Sequence, residues 1–149
     1  MLQKCAGVRE YKESLPEANV MSFQKGDILL SNIRPYLQKL WFATFSGGCS
    51  NDVLVMRIKN INYHNPAFYA AYLKQQAFFD YIMQDVNGVK MPRGKKTHIM
   101  RYPVPMVDLE TQNKMLQKIN NIKIKIEEAE KQLEILSQKT KEILYNFLK

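Results

Sequence analysis

The chain has 149 residues, with 22 Lys+Arg against 14 Asp+Glu, a formal net charge of +8, 46% hydrophobic and 24% charged residues. That is one domain's worth of a globular protein, too short for a large multi-domain enzyme and too apolar for wholesale disorder. No apolar run reaches the roughly 18 residues of a membrane span, and the amino terminus MLQKCAGVREYKES lacks an apolar core of signal-peptide length. Two cysteines, Cys5 and Cys49, are too few for a disulfide scaffold, so the expected compartment is the reducing cytoplasm.

The first part, 1–108, reads as α+β and carries 14 basic against 8 acidic residues. Met21–Phe23 and Asp27–Ile33 are strand candidates around a Lys25-Gly26 turn. Arg34-Pro35 closes the second, because a residue before proline is pushed toward extended geometry. Leu40–Phe45 and Val53–Ile58 are further strands, separated by a Ser46-Gly47-Gly48 turn and Cys49–Asp52. Asn65-Pro66 looks like an N-cap with proline at the first helical position. Phe68, Tyr72, Phe79, Ile82 and Met83 then recur at helical spacing, predicting one helix to about Asp85. Residues 86–105 read as a loop with at most one short strand.

From 109 onward the chain has no Gly, Pro, Arg or Asp, and holds 8 Lys against 6 Glu. Ile119, Ile126, Leu133, Thr140 and Phe147 occupy one heptad core position; Met115, Ile122, Ala129, Leu136 and Ile143 occupy the other. A 3.5-residue repeat sustained over more than four heptads predicts a coiled-coil seam over 109–149. Such a seam is buried either by the first part of the chain or by a second helix, and its length favours a second helix. Thr140, as a polar seam residue, is a candidate for selecting register.

Catalytic motifs fail in detail. Gly88–Lys95 superficially matches a phosphate-binding loop, but five residues separate its glycines where four are needed, and Lys96 stands where a magnesium-binding Ser/Thr should be. Asn65-Pro66-Ala67-Phe68 lacks the second proline of an amino-methyltransferase signature, and no Gly-rich cofactor loop follows a strand. His64 and His98 have no partner ligands at metal spacing, and Cys49 has no patterned base. The expectation is a protein with no catalytic residues, no metal and no cofactor.

A basic loop remains. Residues 86–107 contain Lys90, Arg93, Lys95, Lys96 and Arg101, with His98 and no acid. Gly88, Pro92 and Gly94 would hold it in a turn, projecting the cations together. Phosphates favour such clusters, and an Arg fork also fits the O6 and N7 of guanine. A second basic-aromatic segment is Arg34–Lys39. Asn32, Gln38, Ser50, Asn51 and Thr97 supply the amides and hydroxyls that base readout needs.

In order along the chain, these residues resemble the specificity subunit of type I restriction–modification systems. Lys25-Gly26-Asp27-Ile28-Leu29-Leu30-Ser31-Asn32-Ile33-Arg34-Pro35-Tyr36 is similar to a strand-and-turn signature of its target-recognition domain. Gly47-Gly48-Cys49-Ser50-Asn51-Asp52-Val53 and Lys90-Met91-Pro92-Arg93-Gly94 resemble two further stretches. Pro103-Val104-Pro105 and Leu109-Glu110-Thr111-Gln112 resemble the entry to its long spacer helix.

The resemblance implies a non-catalytic subunit in which two recognition domains each read half of a split duplex-DNA site, held apart by two antiparallel helices. Partner modification subunits would bring S-adenosylmethionine, and a motor-nuclease subunit would cut. On this reading Arg34, Lys90, Arg93, Lys95 and Lys96 contact DNA, with Asn32, Gln38 and Asn51 as base readers. The chain carries one recognition segment and one helix, with fewer residues before Gly26 than a full recognition domain. It is thus expected to act as a half-subunit or truncated form that homodimerises through its helix. The alternatives are a coiled-coil module that docks a methyltransferase without reading DNA, and the end of a fused methyltransferase–nuclease. Gly88-Val89-Lys90 stands where the family often has Gly-Thr-Lys, which removes a hydroxyl and bears on base preference.

Overall fold

The computed structural model describes residues 2–5, 7–8 and 20–148. The segment read for a leader, 1–14, lies largely outside them. The chain divides into two compact units, Met1–Gln112 and Asn113–Lys149. The first is α+β; a long helix makes up the second.

Three small antiparallel sheets organise the first unit. The central one has the order β3-β2-β5, formed by β2 (Ile28–Ser31), β3 (Leu40–Phe42) and β5 (Val53–Met56). Its middle strand reads Ile-Leu-Leu and is buried on both faces, as a continuous apolar run requires. Leu29 pairs with Trp41 and Val55, and this face packs with Phe23, Ala43 and Val53. Ile28, Leu30 and Leu40 lie on the opposite face and are almost fully buried. Ile28 and Met56 share an apolar cleft of about 290 Å³ with Tyr69 and Leu73 of α1 (Pro66–Leu73).

The second sheet corrects one expectation. Gly47 and Gly48 do not form a turn: β4 (Gly47–Cys49) pairs with β1 (Met21–Phe23), Gly47 opposite Phe23. A Cβ on Gly47 would stand 3.1 Å from the Phe23 ring, so the missing side chain is what lets that ring lie across β4. Phe23 meets Trp41 edge to face at 5.7 Å, and Trp41 meets Phe45 at 4.9 Å.

The helix predicted from 66 to about 85 is two helices, α1 and α2 (Gln76–Met83), because Gln75 adopts an extended conformation, ψ 146°. The break contains no Gly or Pro; tertiary packing imposes it. Within α2 the adjacent Phe78 and Phe79 are both about 1% exposed, so its apolar face is wide enough to bury neighbouring positions. Asn65 does cap α1, its side chain accepting from the Ala67 N–H at 2.9 Å.

Residues 86–105 are more ordered than a loop. β6 (Val86–Asn87) and β7 (Arg93–Gly94) form a hairpin, and a short helix, α3 (Lys96–Ile99), follows. The final helix, α4 (Leu109–Phe147), is 39 residues, about 58 Å at about 1.5 Å per residue. Asp108 caps it, accepting from the Thr111 N–H and Oγ1–H at 2.8 and 2.7 Å. Along it, Ile122, Leu133, Ile143 and Phe147 are exposed. Among the described residues no helix is long and apolar enough to cross a membrane.

Candidate nucleic-acid interface

Three segments distant in sequence meet at the end of β2. The Asn32 N–H donates to the Asp52 carbonyl at 2.8 Å, tying the β2 exit to the turn before β5. The Asn32 carbonyl accepts from the Gly94 N–H at 3.2 Å, and Ile33 bridges Arg93. The Arg34 N–H then donates to the Pro92 carbonyl at 2.7 Å. Asn32, Arg34, Asn51 and Arg93 are thus brought together by backbone hydrogen bonds, with Arg34, Asn51 and Arg93 exposed.

Arg34 departs from the extended geometry expected before proline. Its φ is 50° and ψ 64°, the left-handed region, at a cost of about 1 kcal/mol for a residue with a Cβ. The conformation lets its N–H face the hairpin while its carbonyl accepts from Leu37 at 2.9 Å, opening the 3-10 turn Pro35–Leu37. Gln38 leaves that turn in the same region, φ 52°. Its Nε2 donates to Gln76 Oε1 on α2 at 2.5 Å, so of the expected base readers Gln38 is engaged elsewhere.

Lys90 lies exposed between β6 and β7, beyond Gly88, whose φ of 87° turns the hairpin. Gly94 is buried, and a Cβ there would meet Ile82 at 2.8 Å, Ile99 at 3.0 Å and Asn32 Oδ1 at 3.1 Å. That Oδ1 is itself buried with no hydrogen-bond partner among the described residues. Lys95 and Lys96 are exposed at the start of α3.

Two acids join the cluster that the residue pattern did not single out. Asp52 Oδ1 lies 3.2 Å from Arg93 Nε, and Asp85 Oδ1 lies 2.6 Å from Lys95 Nζ. The acid-free stretch begins one residue after Asp85, and Asp52 comes from another strand's turn, so a window along the chain misses both. All four groups are substantially exposed, and such pairs contribute roughly 0–1 kcal/mol. A phosphate can therefore displace either carboxylate.

Groups considered for catalysis have structural partners. His98 stacks on Tyr81 at 4.0 Å and 7°, with Nε2 2.9 Å from the Tyr81 carbonyl; His64 Nδ1 lies 3.0 Å from Tyr69 Oη. Burial pushes the thiols of Cys5 and Cys49 up, away from the nucleophilic thiolate.

The chain matches the family described as type I restriction modification DNA specificity domain over residues 6–138. It belongs to that family. It is also 27% identical over 130 residues to the type I restriction enzyme EcoDI specificity subunit of Escherichia coli. That match covers 87% of this chain and 28% of the relative, so the chain spans under a third of the relative's length. The three laced segments all lie within the matched residues.

Proposed function

We propose that this specificity domain reads duplex DNA as the non-catalytic targeting part of a type I restriction–modification complex, covering one half of a bipartite site. The observation that carries this reading is the lacing of residues 32–34, 50–53 and 92–94, which sets Arg34, Asn51 and Arg93 beside one another with Lys90 on the adjoining hairpin. Arg93 and Arg34 supply forks for phosphate or guanine, Asn51 an amide for a base edge, and Lys90, Lys95 and Lys96 phosphate neutralisation. Modification subunits that carry S-adenosylmethionine dock on the same protein and perform the methyl transfer.

With about six phosphates neutralised, affinity falls with salt at a log–log slope of roughly −5. The double variant Arg93→Glu, Lys95→Glu abolishes duplex binding while circular dichroism shows retained fold. Unchanged binding by that folded variant removes the hairpin from the interface.

One observation favours the second reading, an assembly module that docks a methyltransferase without reading DNA: Asp52 and Asp85 already offset two of the cations. Binding to random duplex at low salt, with and without the modification subunit, separates the two. Binding by the domain alone supports DNA reading.

A further inference from the structure

Among the described residues, the most exposed of the large apolar side chains is Val89, 100% exposed at the tip of the β6–β7 hairpin. Asn87 and Arg93 are the last pair of that hairpin, so residues 88–92 make the tip. Scattered exposed valines are ordinary on a protein surface. This one is set apart by the framework that holds it. Gly88 turns the chain at a φ of 87°, and a Cβ there would stand 3.3 Å from the Met91 carbonyl oxygen. The Pro92 carbonyl accepts from the Arg34 N–H, Ile33 bridges Arg93, and Gly94 is packed against Ile82 and Ile99. The base of the hairpin is thus fixed to the β2 exit and to α2, while its apolar end is left in solvent.

The side chains around that end are cationic. Lys90 follows Val89, Arg93 closes the hairpin, Lys95 and Lys96 come just after it, and no acid lies between 86 and 107. Asp52 and Asp85 pair with Arg93 and Lys95, at and after the base of the hairpin rather than at its tip. An apolar point among cations fits a polyanion whose charged rims enclose apolar groups. The major groove of duplex DNA is built that way, with phosphates along both edges and thymine C5-methyl groups on its floor. The sizes agree. A two-stranded ribbon fits that groove, about 12 Å wide and about 8.5 Å deep. The five-residue tip carries the chain at most about 10 Å past its last pair, at about 3.3 Å per residue. The minor groove presents no methyl group.

We propose that Val89 is a specificity-determining residue that selects thymine, packing its two γ-methyls on the C5-methyl in the major groove; the inference rests on the DNA reading proposed above. Valine has no polar atom, so the thymine methyl is the one base-edge group it can choose by contact. Its short, branched side chain has one χ angle to fix, which keeps the entropy cost of the contact small. The cations behind the tip then meet phosphates while Val89 meets the base.

The test uses the full chain, wild type and Val89→Ala, with the modification subunit present in every arm. Bound sequences are selected from random duplexes by the wild type, and each thymine of the selected site is replaced in turn by uracil, which keeps thymine's hydrogen-bonding groups and lacks only the methyl. At one or two positions uracil is expected to weaken wild-type binding about fourfold, the worth of one buried methyl-sized group. Val89→Ala is expected to bind the thymine duplex more weakly by a similar factor and to be indifferent to uracil at those positions. Uracil that is neutral everywhere for the wild type overturns the proposal, as does a selected site without thymine. So does an equal uracil effect in Val89→Ala, or a loss in that variant that is uniform across sequences. Failure to bind or enrich any duplex overturns the DNA reading together with this inference, whereas the other adverse outcomes leave that reading standing.

Discussion

Arg57, just past β5, grips Asp27, just before β2, with two prongs: Nε to Oδ1 and Nη2 to Oδ2, both 2.7 Å. Asp27 is 2% exposed and also accepts from the Gln24 N–H at 2.7 Å, so one carboxylate ties the β1–β2 turn to the end of β5, the strand beside β2. The Arg57 hydrogen bond, against the opposing effect of burial, holds the Asp27 carboxyl below its ordinary value of 3.8. A lowered folded-state pKa means the unfolded chain binds the proton first. The pair's contribution is therefore complete above 3.8 and is lost as pH falls below it. Asp27→Asn should cost about 2 kcal/mol near neutrality, less than a fully buried pair because Arg57 can be rehydrated. Urea midpoints measured from about pH 6 to 2 should show the wild type converging on the variant in acid. A difference that stays constant across that range would count against the ion pair as its source.

Gly94 and Gly26 should respond differently to alanine. At Gly94 the new methyl meets Ile82, Ile99 and Asn32 at 2.8–3.1 Å, a steric conflict in a buried site expected to cost about 2–3 kcal/mol and to displace Arg93. At Gly26 nothing lies within 4 Å, and only the φ of 92° is strained, at about 1 kcal/mol. Thermal or urea denaturation ranks the two, and duplex binding should weaken for Gly94→Ala alone. Loss of binding in Gly26→Ala at full folding would contradict this division.

The strands and the long final helix were legible because their signals are local: Ile28–Ser31, Leu40–Phe42 and Val53–Met56 announce themselves by apolar runs, and α4 by its helical periodicity. What sequence reading missed was decided across the chain. Gly47-Gly48 looks like a turn until Phe23 is laid over it, and Gln75 has no breaker chemistry of its own. Arg34 is left-handed because Pro92, 58 positions later, needs its N–H. At the candidate interface the cations were readable from composition and from family resemblance, whereas Asp52 and Asp85, which temper them, come from outside the basic stretch.

Those two acids give a further prediction. Asp52→Asn and Asp85→Asn each remove a negative charge beside a cation of the candidate interface, so on the proposed function nonspecific duplex affinity at low salt should rise severalfold while the fold is unaffected. Asp52 also aims the Arg93 guanidinium, so its loss should narrow the gap between cognate and random duplex, whereas Asp85→Asn should leave that ratio alone. Titrations of both duplexes at two salt concentrations check it. Unchanged affinity in both variants would place Arg93 and Lys95 away from the phosphates.

Gln112 is the last residue of the first unit and is fully buried, though polar. Its Oε1 accepts from the Asn65 N–H at 2.7 Å, and its Nε2 donates to the carbonyls of Val107 and Tyr63 at 2.7 and 3.0 Å. The side chain thereby joins the first turn of α4 to the cap of α1 and to the chain entering the helix. Gln112→Ala would leave those three backbone groups without their partner in the interior, an expected cost of about 3 kcal/mol. Gln112→Glu keeps the shape and the Oε1 acceptor but replaces the two-proton donor with a buried acceptor facing two carbonyls, so it should be at least as damaging. Gln112→Met, similar in volume but unable to hydrogen-bond, should fall near the alanine variant if hydrogen bonding dominates, and near wild type if packing does. Urea denaturation of the three variants makes the comparison, and wild-type stability in Gln112→Met would show that the buried amide is there to fill space.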